Sequence, residues 1–103
     1  LWRNARVIYD VGMHTGKLSY EDAISLMTDK VGFLRWAAQL EIDSSSSRPG
    51  YFIGYFMGMI EILEMREDYK KLKGENYSIS DFHEKLLKIG NMPPSIMREA
   101  LFN

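Results

Sequence analysis

Apolar residues recur along this chain at intervals of three and four, and no stretch alternates convincingly at intervals of two. Trp2, Ala5, Ile8, Tyr9 and Val11 predict a first helix from residue 2 to Asp10 or beyond, ending near Gly12 and Gly16. Ser19, followed by Glu21 and Asp22, is a helix start with acids in the first turn. The stripe Ala23, Ile24, Leu26, Met27 and Val31 then runs to a stop at Gly32. Phe33 to Asp43 reads as a short third helix with Leu34, Ala37, Ala38 and Ile42 facing inward, and Asp43 to Gly50 is the one loop of any length. Tyr51 to Leu72 forms the dominant helix and stops at Gly74. Ser78 or Ser80 caps a fifth helix that reaches Ile89, and Pro93-Pro94 opens a sixth carrying Ile96, Met97 and Leu101. The pattern predicts an all-α fold of five to six helices in an irregular bundle.

The dominant helix breaks the usual division between wet and dry faces. From Tyr51 to Ile60 there is no polar residue outside the tyrosine hydroxyls, and a helix apolar around its whole circumference needs neighbours on all sides. Five short helices can hardly supply them. Gly50, Gly54 and Gly58 recur every fourth residue and predict one row along which another backbone approaches, at a helix-propensity cost of about 1 kcal/mol for each interior glycine. Tyr51 and Tyr55 share the neighbouring face, where their hydroxyls either find partners within the protein or reach a ligand. The chain is therefore expected either to associate with itself or to pack against protein outside residues 1–103.

Composition narrows the function classes. The chain has 103 residues, no cysteine, 13 basic and 14 acidic side chains and a formal net charge of -1. Disulfide frameworks and cysteine zinc sites are excluded, and there is no basic field to attract nucleic acid or an anionic membrane. The ten apolar residues from Tyr51 to Ile60 are about half of the roughly 20 that a membrane-spanning helix needs. A chain of this length has the size of one helical domain or of a fragment of a larger one.

Candidate chemistry is sparse. Arg6, Asp10 and His14 are spaced by four, so a first helix continuing past Gly12 would carry them as a polar row, with Asp10 pairing Arg6 and orienting the imidazole. The same residues also suit a plain surface ion pair. His83, beside Phe82, stands in no metal-ligand spacing with His14. HExxH, a serine nucleophile elbow, a phosphate-binding glycine loop, GxGxxG and an acidic calcium loop are all absent, so no complete active site and no metal site is legible in this chain.

Read as a string, Arg3-Asn4-Ala5-Arg6-Val7-Ile8-Tyr9-Asp10-Val11-Gly12-Met13-His14-Thr15 resembles the RAxRLVxDxGLHT segment of a widespread prokaryotic family known as domain of unknown function 885. Ser19 and Ala23 resemble its WSxExA step. Glu41-Ile42, Pro49-Gly50, Tyr55, Gly58, Ile62, Leu63 and Arg66 resemble EVxRYxxxPGQALxYxIGxxxILxLR, and Phe82-His83, Leu86-Leu87, Gly90 and Pro93 resemble FHxxLLxxGxxPL. That family is similar to helical zinc metallopeptidases of the thermostable carboxypeptidase and thimet oligopeptidase type.

The resemblance implies a C-terminal, substrate-side portion of a catalytic domain, inactive alone. Zinc would be bound by HExxH and a further Glu upstream, and a peptide would be the substrate. It implies Tyr55 as donor to the oxyanion of the transition state and His14 as a second donor or substrate anchor. Asp10 and Arg6 would orient them, with Tyr51, Arg66 and His83 as further substrate wall. The implied partners are the upstream part of the same polypeptide, or a second copy. Localisation is expected to be cytoplasmic. Two positions depart from the family pattern: its Arg-Tyr pair falls on Ser44 and Ser45, and its Gln after Pro-Gly falls on Tyr51. If that arginine binds a substrate carboxylate, its loss alters substrate preference. The competing reading is a non-catalytic helical module that self-associates through the Gly50, Gly54 and Gly58 face.

Overall fold

Helix α1 (Trp2–His14) continues through Gly12, because hydrogen at that Cα leaves room for Leu18: an added Cβ would lie 2.3 Å from the Leu18 Cδ1. The Lys17 and Leu18 amides both donate to the Gly12 carbonyl, at 2.8 and 2.9 Å, and turn the chain back on itself. Helix α2 (Tyr20–Ser25) starts at a capping box in which Ser19 accepts from the Asp22 amide and the Asp22 carboxylate accepts from the Ser19 amide. The helix then widens into a π-type turn, Leu26–Val31, and ends at Gly32 with φ +87°. Helix α3 (Arg35–Ser46) follows.

The computed structural model describes residues 1–103, and its remaining elements are α4 (Ile53–Lys73), a 3-10 turn (Gly74–Asn76), α5 (Ile79–Ile89) and α6 (Pro94–Phe102). The fold is all-α, with six helices and no strand. Ser78 caps α5 by accepting from the Asp81 amide, and Pro94 takes the first position of α6, where its missing N–H costs nothing. No helix is long and apolar enough to cross a membrane.

The chain forms two compact units, Leu1–Met57 and Gly58–Asn103. In the first, Ala5, Tyr9, Ala23, Ile24, Met27, Ala38 and Ile42 form the core, with Met13, Leu26, Val31 and Phe33 packed against it. Ile24, Met27 and Ile42 are completely buried, and each such side chain contributes about 1.5–3 kcal/mol of transfer free energy. In the second, Met65, Tyr69, Phe82, Leu86 and Leu101 form a separate core.

Three expectations are corrected. Leu34 is exposed, because α3 begins two residues later than expected, at Arg35, and Leu34 stands at its N-cap in extended conformation. Helix α3 runs through Ser44, Ser45 and Ser46, so the serine run is mostly helix and the connection is shorter than its composition suggests. Gly50 lies outside α4, in a turn with φ +79°, and does not continue the Gly54–Gly58 row. No atom lies within 4 Å of a Cβ added at Gly54 or Gly58, so neither packs closely on another segment of this chain. Of the residues of α4 only Met65 and Tyr69 are buried, while Tyr55, Met57, Met59, Ile62 and Leu63 stand exposed.

Candidate functional site

Arg48-Pro49-Gly50-Tyr51 is a tight turn closed by the Tyr51 amide donating to the Arg48 carbonyl at 3.1 Å. Proline second and glycine third with positive φ is the pattern of a type II turn, which few side chains other than glycine tolerate at the third position. Asp10 anchors it. This aspartate is fully buried, and both its carboxylate oxygens accept from the Gly50 amide, at 3.2 and 3.1 Å. The turn stacks the Arg48 guanidinium 5.4 Å from the centre of the Tyr51 ring. One helical turn later the Tyr55 hydroxyl meets that of Tyr51 at 3.3 Å, with the two rings edge to face.

The Tyr55 ring lies among cations. The Arg3 guanidinium sits 4.7 Å from its centre and 4.9 Å from that of Trp2. Arg6 lies 4.2 Å from Phe52, 4.5 Å from Trp2 and 5.2 Å from Tyr55. Tyr51 and Tyr55 remain 51% and 46% exposed and, with Gly54, line an open depression of about 260 Å³. The hydrogen bond to Tyr51 and the charge that Tyr51 would carry raise the pKa of the Tyr55 hydroxyl, so it stays a neutral donor at physiological pH.

Arg6 does not pair Asp10. It pairs Glu41 on α3, and the two side chains are only 7% and 13% exposed. One oxygen of Glu41 also accepts from the Trp2 indole at 3.1 Å and the Tyr9 hydroxyl at 3.0 Å. Burial raises the Glu41 pKa, but the bonds from Arg6, Trp2 and Tyr9 outweigh it and hold the carboxyl below its usual range. Burial opposes the Arg6 charge, and Glu41 more than compensates. Burial, followed by the charge of Glu41, pushes the Tyr9 hydroxyl well up. This network holds Arg6 near the Tyr55 ring.

His14 does meet Asp10. Its Nδ1 lies 2.7 Å from the Asp10 carboxylate and 2.8 Å from the Asp10 carbonyl, with the imidazole 26% exposed. The bond to the Asp10 carbonyl raises its pKa. Desolvation opposes this, and the Ser46 backbone and the Asp10 charge add to the rise. Protonated His14 therefore stabilises the fold. That contribution is complete below about pH 6.5, the ordinary histidine value, and is lost as pH rises through the higher folded-state value. A proton NMR titration should place the His14 midpoint above the ordinary value, and Asp10→Asn, which keeps the backbone carbonyl, should lower it only in part; a midpoint that Asp10→Asn leaves unchanged would remove the Asp10 carboxylate as a contributor.

The remaining candidates lie in the second unit. Arg66 donates to Glu67 at 3.1 Å, and the exposed His83 ring lies 5.7 Å from Phe82. No three His, Asp or Glu side chains converge to hold a metal ion. Sequence reasoning missed Trp2, Arg3, Glu41, Arg48 and Phe52 as members of this cluster. Arg48-Pro49-Gly50-Tyr51 carried a usable signal in its turn chemistry; Glu41 carried none, since it meets Arg6 only across 35 residues of chain.

The family model described as "Bacterial protein of unknown function (DUF885)" matches residues 1–101. The chain belongs to that family. A DUF885 chain of this length also matches the crystal structure of "the putative lipoprotein from Colwellia psychrerythraea" with a TM-score of 0.92 and 30% identity. The match covers 97% of this chain and 17% of that one, so the chain spans about a sixth of that protein's length. No curated protein matches this chain. At Ser44, where the family pattern has arginine, the hydroxyl accepts from the Arg48 guanidinium at 3.4 Å. At Ser45 the side chain is buried and its hydroxyl has no partner.

Proposed function

We propose that this chain is the substrate-side portion of a zinc-dependent, peptidase-like DUF885 protein and is inactive by itself. The observation that carries the reading is the exposed, hydrogen-bonded hydroxyl pair of Tyr51 and Tyr55, set among guanidinium groups and open to a depression. Neutral donors in cationic surroundings suit a peptide carbonyl whose oxygen gains negative charge in the transition state. Tyr55 is the donor in this reading, and Tyr51 orients it. Asp10 is a positioning residue that acts through the Gly50 turn, and His14, held by Asp10, stands behind it.

The residues of this chain do not fit zinc, since no suitable set of ligands converges, and no step is assigned to a metal here. The reading places the metal in the remainder of a longer family protein. That remainder is also the proposed partner of the exposed apolar side chains of α4, Met57 and Met59 among them, consistent with a structural relative about six times the length of this chain.

A longer DUF885 protein containing this segment is expected to bind zinc stoichiometrically and to hydrolyse unstructured peptides, whereas residues 1–103 alone do neither. Elemental analysis finding no zinc, together with no peptide cleavage, would refute the enzymatic reading. Amide exchange showing α4 equally unprotected in both proteins would refute the proposed cover.

A further inference from the structure

Six arginines occur in this chain, and four of them pair with carboxylates: Arg6 with Glu41, Arg35 with Glu21, Arg66 with Glu67 and Arg98 with Asp68. The two without a carboxylate are Arg3 and Arg48, and they flank the same pair of tyrosines. Arg3 stacks on Tyr55 and Trp2, while Arg48 stacks on Tyr51 and donates to Ser44 Oγ. Stacking on an aromatic face leaves the edge of a guanidinium, with its N–H donors, free for an anion. The carboxylate in this cluster, Glu41, pairs with Arg6 and also accepts from Trp2 and Tyr9, so it does not serve Arg3 or Arg48. Asp10 is buried and engaged by His14 and the Gly50 amide. The cluster thus combines uncompensated positive charge, two phenolic hydroxyls and an open depression floored by Gly54.

We propose that Arg3 and Arg48, stacked on the Tyr55 and Tyr51 rings beside the depression, form a carboxylate-binding subsite that receives the C-terminal carboxylate of a peptide. A guanidinium edge pairs with a carboxylate in planar, bidentate fashion, while the bonded hydroxyls of Tyr51 and Tyr55 stay available to the scissile carbonyl. The tyrosine rings that line the depression accept the terminal side chain. The choice of a peptide as the bearer of the carboxylate rests on the function proposed above; the anion site itself rests on the arginine geometry.

The test is an NMR titration of the 103-residue chain, observing arginine Nε–H and tyrosine ring signals. The probes are acetyl-Ala-Phe with a free carboxylate, the same dipeptide as its C-terminal amide, and inorganic phosphate. The free acid is expected to shift the Arg3, Arg48, Tyr51 and Tyr55 signals saturably, and the amide to bind about tenfold more weakly or worse. Arg3→Gln and Arg48→Gln should each weaken the acid about tenfold, and Arg48→Lys should restore part of the loss as a point charge. Both arginines are exposed, so the variants should keep the parent circular dichroism spectrum.

Equal binding of acid and amide, or acid binding that survives the double Gln variant, would overturn the subsite. Phosphate giving the same shifts at the same concentration would overturn the peptide assignment. Carboxylate binding without hydrolysis by any longer family protein would leave the subsite standing and refute the peptidase reading, so the two failures are distinguishable.

Discussion

Replacing Tyr55 by phenylalanine in a longer, peptide-cleaving DUF885 protein should lower kcat by about 10²-fold while leaving KM nearly unchanged, as removal of a single oxyanion donor does. The split between the two constants follows from where the charge develops. A ground-state carbonyl oxygen accepts only a weak bond from a phenol, whereas the tetrahedral oxyanion accepts a charge-assisted one, so the hydroxyl contributes mainly in the transition state. Three features suit Tyr55 to that proposed role. The Tyr55 hydroxyl is held by Tyr51 at 3.3 Å, the Arg3 and Arg6 guanidinium groups lie 4.7 and 5.2 Å from its ring centre, and its raised pKa keeps the proton in place. Tyr51→Phe should have a smaller effect on kcat, because it removes an orienting partner and leaves the donor. Measured steady-state constants decide the matter: an unchanged kcat for Tyr55→Phe would reassign the ring to a stacking platform for Arg3.

A second large effect is expected in stability. Glu41→Ala should destabilise the chain by about 3 kcal/mol, since it strands the nearly buried Arg6 guanidinium and leaves the Trp2 indole and Tyr9 hydroxyl without their acceptor. For a chain of this size that corresponds to a fall in Tm of about 15 °C. The combined replacement Arg6→Met with Glu41→Leu should cost less than Glu41→Ala alone, because the penalty lies mostly in the unpaired charge and not in the loss of the pair.

The sign of the pH dependence follows from the direction of the Glu41 shift. Its folded-state pKa lies below the unfolded value, so its stabilisation is present above the unfolded pKa and is lost as pH falls through the folded one. Thermal unfolding at neutral and acidic pH checks both points. A Glu41→Ala variant that melts with the parent would show that the network contributes nothing net.

Much of this organisation was legible in the sequence where its cause is local. Ser19 with Asp22, Ser78 before α5, Pro94 opening α6 and Gly32 closing the second helical segment are chain-neighbour effects, and each stands where the pattern put it. Legibility failed where a local pattern allowed more than one outcome. Serine is only mildly unfavourable in a helix, so the continuation of α3 through Ser46 depended on packing such as the burial of Ile42 and not on propensity. Gly50 satisfied the four-residue spacing of a helical row, but the preceding proline and the Asp10 carboxylate hold it in a left-handed turn instead.

The sequence by itself determined the helical class, the starts and stops of most helices, membership of the DUF885 pattern and the proximity of Tyr51 to Tyr55, because all of these arise between residues close in the chain. Only the tertiary structure decided which partner each charged residue takes. Arg6 shares a helix face with Asp10, yet it pairs with Glu41, while Asp10 turns to His14 and the Gly50 amide. Spacing along a helix states which groups are neighbours. Burial then selects among them, because a desolvated charge is stable only where full hydrogen bonding is available, and for Arg6 that place is formed by α3, 35 residues away.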